Sequence, residues 1–300
     1  MHGLGNDFIL IDCREQGFEF CKQKAEELGI LSRKLCNRRF GIGADQLLVL
    51  YSSEVADFRM RIFNADGSEG EMCGNGIRCL AKYIWDRNLS DKKVLSIETL
   101  AGIIRPEKAG EMVKVDMGEP IFDAEKIPVN INEEFKPPTS PLEKGCKGGF
   151  ESRGQGGIID YPLKIEDKEF RITCVSMGNP HAVIVVEGLA HFPVIFYGPM
   201  IENHNLFPER TNVEFVEVLS PAEIKIRVWE RGSGETMACG TGASAAAVAT
   251  SMKGITDKQV TVHLLGGDLF IELAMDKHVY MTGPAVEVFT GIIEEYDYQG

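Results

Sequence analysis

Apolar and polar residues along this chain fall into short blocks, and the period inside the blocks switches between that of a strand and that of a helix. Residues 8–11, 47–51 and 58–64 are apolar or alternating runs rich in branched and aromatic side chains, and they predict strands. A charged stretch at 20–37 sets Leu28, Leu31 and Leu35 on one face and predicts a helix. Residues 77–88 and 243–252 hold few strand formers and many good helix formers, and predict two more helices. Further strands are expected at 94–97 and 112–116, on either side of an Ala101-Gly102 turn, and at 182–186, 213–218 and 286–289.

The blocks recur. Residues 61–76 (RIFNADGSEGEMCGNG) and 227–242 (RVWERGSGETMACGTG) align without a gap at a separation of 166 residues, so that Arg61 meets Arg227, Glu69 meets Glu235 and Cys73 meets Cys239. Each copy reads as a strand, a glycine-rich turn, a cysteine and the start of a helix. Gly178-Asn179-Pro180-His181 echoes Gly5-Asn6-Asp7-Phe8, and Arg210-Thr211-Asn212 falls opposite Ala44-Asp45-Gln46. Residues 260–267 and 280–283 echo 95–102 and 115–118. Two copies are too few for a solenoid, so duplication of a whole domain is the better account. The expected fold class is α/β (α+β) with two pseudo-symmetric halves. The first is residues 1–118, joined by 285–300; the second is 119–284. Between the copies, Pro137, Pro138 and Pro141 and the glycines of 145–157 mark a turn-rich excursion, with 145–160 expected as a surface insertion.

Composition narrows the function. Three hundred residues suit two domains. A net charge of −13 without any Lys/Arg-rich block argues against nucleic acid and anionic membrane as partners. MHGLGNDFIL has neither a basic leader nor a long apolar run, and the Ala-rich window at 240–250 is too short to span a bilayer, so a cytoplasmic protein is expected. None of the eight cysteines forms a C-x-x-C pair or a zinc spacing, and no metal is expected. In a reducing compartment Cys13, Cys21, Cys36, Cys79, Cys146 and Cys174 read as free thiols used as small hydrophobes. Cys73 and Cys239 do not fit that reading, because each is followed by glycine in a turn where packing does not call for a thiol.

A cysteine at a helix N-terminus faces unpaired N–H groups and the positive end of the helix dipole, which favours thiolate. The following glycines let a ligand approach bare backbone, and a carboxylate suits such a nest. If the halves are related by a pseudo-twofold axis, both sulfurs address one carbon from opposite faces. Removing an α-proton on one side and returning a proton on the other inverts an amino acid, and like groups in like environments let the reaction run both ways.

The motifs GLGNDF, FNADGS, CGNGIR, GNPH, ERTN, WERG and ACGTGA together resemble the diaminopimelate epimerase family over residues 1–291 apart from the insertion. That resemblance implies two similar domains, each a mixed, barrel-like sheet wrapped on a central helix. It also implies interconversion of LL- and meso-diaminopimelate without pyridoxal or any other cofactor, in a homodimer serving lysine and peptidoglycan synthesis. Carried over by motif, Cys73 and Cys239 are base and acid, and Gly74, Asn75, Gly240 and Thr241 hold the reacting carboxylate. Asn6, Gln46, Asn64, Asn179, Asn212, Glu230 and Arg231 grip the rest of the substrate, Arg231 clamping the distal carboxylate. His181 and Glu230 tune the thiols. Read from the residues alone, His181 is equally a satisfied loop histidine, and Asn64 and Asn212 pass for turn residues.

Three departures stand out: the chain starts at the first motif, 145–160 is longer than the family norm, and Phe289 replaces a tyrosine of the dimer contact. Alternatives within reach are a proline or hydroxyproline racemase, a thiol-redox protein and a non-catalytic amino-acid-binding protein. A second carboxylate clamp argues against the first. The lack of a nearby resolving cysteine argues against the second.

Overall fold

The computed structural model describes residues 1–14, 24–130 and 157–292. Cys21, Cys146, the prolines at 137–141 and the start of the helix expected at 20–37 lie outside the described residues, as does most of the 145–160 insertion. The chain divides into two compact units, Met1–Pro106 with the segment from Ala285, and Glu107–Pro284.

In the first unit, strands β1 (His2–Gly3), β2 (Asn6–Asp12), β3 (Gln46–Tyr51), β4 (Phe58–Asn64), β6 (Ile97–Thr99) and β7 (Gly102–Ile104) form a sheet in that order, with β5 (Glu69–Gly70) paired to β4. Helix α1 (Ala25–Leu35) begins where the Lys24 N–H donates to the Glu27 carboxylate, and buries Leu28, Leu31 and Leu35. Helix α2 (Gly74–Asp86) lies against β1, β2 and β3 and buries Ile77, Leu80, Ala81 and Ile84. Its apolar stripe recurs at helical spacing, which is why the segment folds as a helix on a sheet.

In the second unit, β10 (Tyr161–Ile165), β11 (Lys168–Ser176), β12 (Pro180–Val185), β13 (Asn212–Ser220), β14 (Glu223–Glu230), β16 (Gln259–Leu264), β17 (Gly267–Leu273), β18 (Val279–Gly283), β9 (Met112–Asp116) and β8 (Glu107–Ala109) follow one another in one sheet, with β15 (Gly234–Thr236) paired to β14. Helix α4 (Gly240–Met252) packs against β11 to β14 and β16 to β18. Such all-round packing suits its small residues: Ala243 and Ala245 to Ala249 are all buried, and larger side chains would not fit. Helix α3 (Val194–Glu202) packs on β13, β14 and β15.

Topology repeats along with sequence. β2 runs parallel to β3, β3 antiparallel to β4, and β4 parallel to β6. β12, β13, β14 and β16 pair in the same senses. Registers match too: Phe8 opposes Gln46 as His181 opposes Asn212, and Phe58 opposes Ile97 as Ile224 opposes Val262. The mixed α/β class and the twofold duplication expected from the sequence are both present.

Several expectations are corrected. The strand at 94–97 is shifted to Ile97–Thr99, because pairing of Phe58 with Ile97 sets the register. Residues 286–289 contribute a single bridge from Val286 to His2, and Val288 and Phe289 are exposed. The β10–β11 hairpin, for which the sequence pattern predicted no strands, follows the insertion and folds back at Glu166 with a positive φ of 54°. α3 has no helical stripe, being apolar nearly all round with Pro199 inside it, so periodicity did not reveal it. Cys13 is disulfide-bonded rather than free, whereas Cys36, Cys79 and Cys174 are buried free thiols.

Candidate active site

Both cysteines stand where a helix begins. Cys73 caps α2 and Cys239 caps α4, each in extended backbone, with φ, ψ of −139°, 120° and −125°, 115°. Each turn is braced by the same fork. Arg61 binds Glu69 at 2.7 and 2.9 Å, and Arg227 binds Glu235 at 2.6 and 3.0 Å, tying β4 to β5 and β14 to β15 just ahead of the cysteine. The carbonyl one residue past each cysteine is also held from the next helical turn. Arg78 Nη1 donates to Gly74 O at 3.1 Å, and Ser244 Oγ donates to Gly240 O at 2.9 Å.

In the first unit the amide of Asn6 is the hub. Its Nδ2 donates to Asp45 at 2.8 Å, which turns Oδ1 toward the Asn75 amide (3.2 Å) and the Cys73 thiol (3.7 Å). Arg78 Nη2 donates to Asn75 Oδ1 at 2.7 Å, so the orientation of both amides is fixed. Arg38 forks onto Asp7 and also reaches Asp45. Burial pushes the Asp7 carboxyl up, but hydrogen bonds from Arg38 and the Asp45 backbone outweigh it and leave Asp7 below its usual range. Arg78 is fully buried, and burial brings its guanidinium down to about 10, so it remains charged at neutral pH. Gln46 Nε2 donates to Asn64 Oδ1 at 2.8 Å, while Gln46 Oε1 is buried without a partner among the described residues.

In the second unit Cys239 Sγ accepts the Gly242 N–H at 3.4 Å and touches Thr241 Oγ1 at 3.4 Å. The helix was expected to lower this thiol. Instead burial first, then the Glu230 carboxylate, with Glu214 adding to them, push Cys239 well above its ordinary value. The Thr241 hydroxyl and Gly242 N–H offset only part of that. A helix terminus acts through partial charges over one turn, whereas desolvation of a sulfur at 6% exposure acts on the whole ionised form.

His181 and Glu214 are both completely buried and meet at 2.7 Å, and His181 Nε2 faces Asn179 Oδ1 at 2.9 Å. The histidine is therefore anchored at both ring nitrogens. Asn212 donates to Pro180 O and accepts the Arg231 N–H at 2.9 Å, and Glu230 accepts from Thr236. Arg231 is exposed, with Nη1 on Glu209 O at 3.0 Å. Glu202, at the end of α3, takes the Trp229 Nε1–H at 2.7 Å and the Gly232 N–H at 2.8 Å, gripping the turn that carries Arg231.

The structure thus groups Asn6, Asn75, Gly74 and Cys73 in one unit, with Gln46 bonded to Asn64, and groups Asn179 with His181, Asn212 with Arg231, and Gly240, Thr241 and Glu230 around Cys239 in the other. The sequence reading missed Asp45, Arg78, Glu202 and Glu214. For Glu214 a signal exists, a lone carboxylate inside the apolar run Val213–Val216 of β13. The others look like ordinary surface charges until their partners are known. Among the described residues no group of three or more His, Cys, Asp or Glu is placed to hold a metal ion, and no helix is long and apolar enough to cross a membrane.

Known proteins resemble this chain in sequence and in fold. The family model described as diaminopimelate epimerase matches residues 1–122 and 173–288. A diaminopimelate epimerase of Pelotomaculum thermopropionicum is 50% identical over 303 residues, covering 99% of this chain and 98% of that protein. One from Carboxydothermus hydrogenoformans is 50% identical over 294 residues, covering 97% of each. Among solved structures, a probable proline racemase of Agrobacterium radiobacter K84 with bound carbonate superposes with a TM-score of 0.66 at 13% identity, covering 99% of this chain and 92% of that one. At that identity the likeness speaks for the fold alone.

Proposed function

We propose that this chain, which belongs to the diaminopimelate epimerase family, is an isomerase that inverts one α-carbon of 2,6-diaminopimelate, interconverting the LL and meso forms for lysine and peptidoglycan synthesis. The observation that carries the reading is the pair of helix-capping cysteines, each in a braced glycine turn, Cys73 beside the Asn6 amide and Cys239 beside the Thr241 hydroxyl.

One sulfur takes the α-proton as thiolate, and the electron pair left on carbon spreads into the adjacent carboxylate. The other sulfur, as thiol, delivers its proton to the opposite face. In the reverse direction the roles of Cys73 and Cys239 exchange. The leading N–H groups at Gly74–Asn75 of α2, and likewise those at Gly240–Thr241 of α4, suit the carboxylate that accepts this charge, because helix geometry leaves them without intrahelical partners.

Gln46 Oε1, buried and unpartnered, is an acceptor waiting for a donor, and a substrate ammonium supplies one. Asn64, Asn179 and Asn212 present further amide groups. Arg231, exposed and held through its own backbone by Asn212, binds the distal carboxylate. Glu230 and His181 tune the thiols. No metal or organic cofactor enters these steps. The protein acts in the cytoplasm as a homodimer, and the exposed apolar side chains of Val286, Val288, Phe289 and Ile292 support a protein contact there.

Incubation with LL-diaminopimelate in heavy water, without added pyridoxal, is expected to place deuterium at the inverted carbon. Well-folded protein that leaves the substrate unlabelled sinks the reading. Labelled proline in the same assay moves it to the cyclic-substrate racemases.

A further inference from the structure

The two cysteine turns are copies in backbone and opposites in charge. Beneath the α2 turn, an added Cβ on Gly76 meets Leu48 Cδ2 at 3.2 Å and Phe8 Cε1 at 3.4 Å, so the floor is apolar. Beneath the α4 turn, an added Cβ on Gly242 meets Glu214 Oε1 at 2.9 Å and the Cys239 sulfur at 3.3 Å. In the duplicated registers Glu214 takes the place of Leu48, and His181 that of Phe8. The brace on the following turn differs in the opposite sense. Arg78, a buried guanidinium, holds Gly74 O where the neutral hydroxyl of Ser244 holds Gly240 O.

We propose that Arg78 and Glu214 make the two thiols unequal. The guanidinium in the first turns of α2 draws the proton off Cys73, the carboxylate under α4 keeps the proton on Cys239, and the protein meets its substrate with Cys73 as base and Cys239 as acid. This rests on reading both cysteines as proton-transfer groups. It goes further by naming two positioning residues, neither touching the substrate, that break the symmetry of the duplication.

Each sulfur is met by groups from its own helix and from neighbouring strands. Cys73 has the Arg78 charge and the Cys79 thiol on its own helix. From β2 and the residue ahead of β3 it has the Asn6 amide with Asp45 behind it. Its thiol hydrogen bond to Asn6 Oδ1 favours the protonated form, and Arg78 acts against it. Cys239 faces Glu230 from β14 and Glu214 from β13, the latter hydrogen-bonded to His181 of β12, along with Thr241 and the Gly242 N–H of its own helix. Cys174 on β11 senses Glu214 as well. Two carboxylates at one sulfur and a guanidinium at the other pull the two ionisations apart. The reaction remains reversible. The direction that needs Cys239 as base first requires its proton to move, so the two directions differ in their dependence on pH.

The test is a titration of thiolate ultraviolet absorbance, isolating Cys73 as wild type minus Cys73→Ala and Cys239 as wild type minus Cys239→Ala. In the wild type Cys73 is expected to ionise at least about tenfold more readily than Cys239, about one pH unit apart. Arg78→Gln is expected to raise the Cys73 midpoint and leave that of Cys239, and Arg78→Lys to restore it. Glu214→Gln is expected to lower the Cys239 midpoint without moving Cys73. Equal or reversed wild-type midpoints overturn the proposal, as does a Glu214→Gln protein in which both midpoints stay put. Where a variant does not fold, the wild-type pair decides. The titration needs no turnover, so its outcome is separate from that of the deuterium assay.

Discussion

Arg227 and Glu235 lie eight residues apart and close into a two-pronged ion pair across β14 and β15, and Arg227 Nη1 also donates to the Phe192 carbonyl at 2.8 Å. Arg61 and Glu69 repeat the fork in the other unit. Because both partners at Arg227 are largely buried, removing the guanidinium strands a carboxylate and a carbonyl together. Arg227→Met is expected to cost on the order of 2–4 kcal/mol of stability, more than Arg61→Met by about 1 kcal/mol. Urea unfolding of the two variants checks this, and an Arg61 variant that is the less stable of the two contradicts it.

Glu202 governs the turn bearing Arg231 from a distance. Its two oxygens take the Trp229 Nε1–H and the Gly232 N–H. Glu202→Ala leaves both donors without an acceptor and lets the turn drift, while the thiols stay where their own forks hold them. The expected outcome is a KM for diaminopimelate raised roughly tenfold with a smaller change in kcat, since loss of uniform binding acts on KM. Steady-state kinetics decides, and a fall confined to kcat assigns Glu202 elsewhere.

Buried thiols make the fold sensitive to alkali. Burial pushes Cys79 up to about 12, and pushes Cys174 and Cys239 above their ordinary range. In each case the folded state prefers the protonated thiol. The stabilisation is fully present below the unfolded value near 9 and is lost as pH rises toward the folded value. Stability is thus expected to fall above about pH 9, with a slope near 1.4 kcal/mol per pH unit for each such thiol. Cys79→Ala removes one share of that slope between about pH 9 and 12. Unfolding curves at stepped pH measure it, and an unchanged slope in Cys79→Ala refutes the assignment.

The fold's duplication was legible because the strand pairings are local consequences of pattern. Alternating runs such as Phe58–Asn64 and the matched Cys-Gly turns declare themselves at any distance from their partners. α3 was not legible, since its apolar residues fall on the exposed face (Ile195, Phe196) as well as the buried one (Val194, Ile201), which leaves no stripe. Residues 94–97 were misplaced because a parallel partner, Phe58, set their register.

What the chain's order of residues determined by itself is the twin cysteines at helix starts, the duplication that carries them, and the family. Helix onset and glycine turns are encoded within a few residues, so they survive reading in one dimension. What only tertiary structure decided is the ionisation of those cysteines. Whether a thiol near a helix terminus holds its proton depends on burial and on charges brought from other strands. Glu214 reaches Cys239 from β13 and Leu48 stands in its place in the other unit, a difference that becomes electrostatic only when the strands pair.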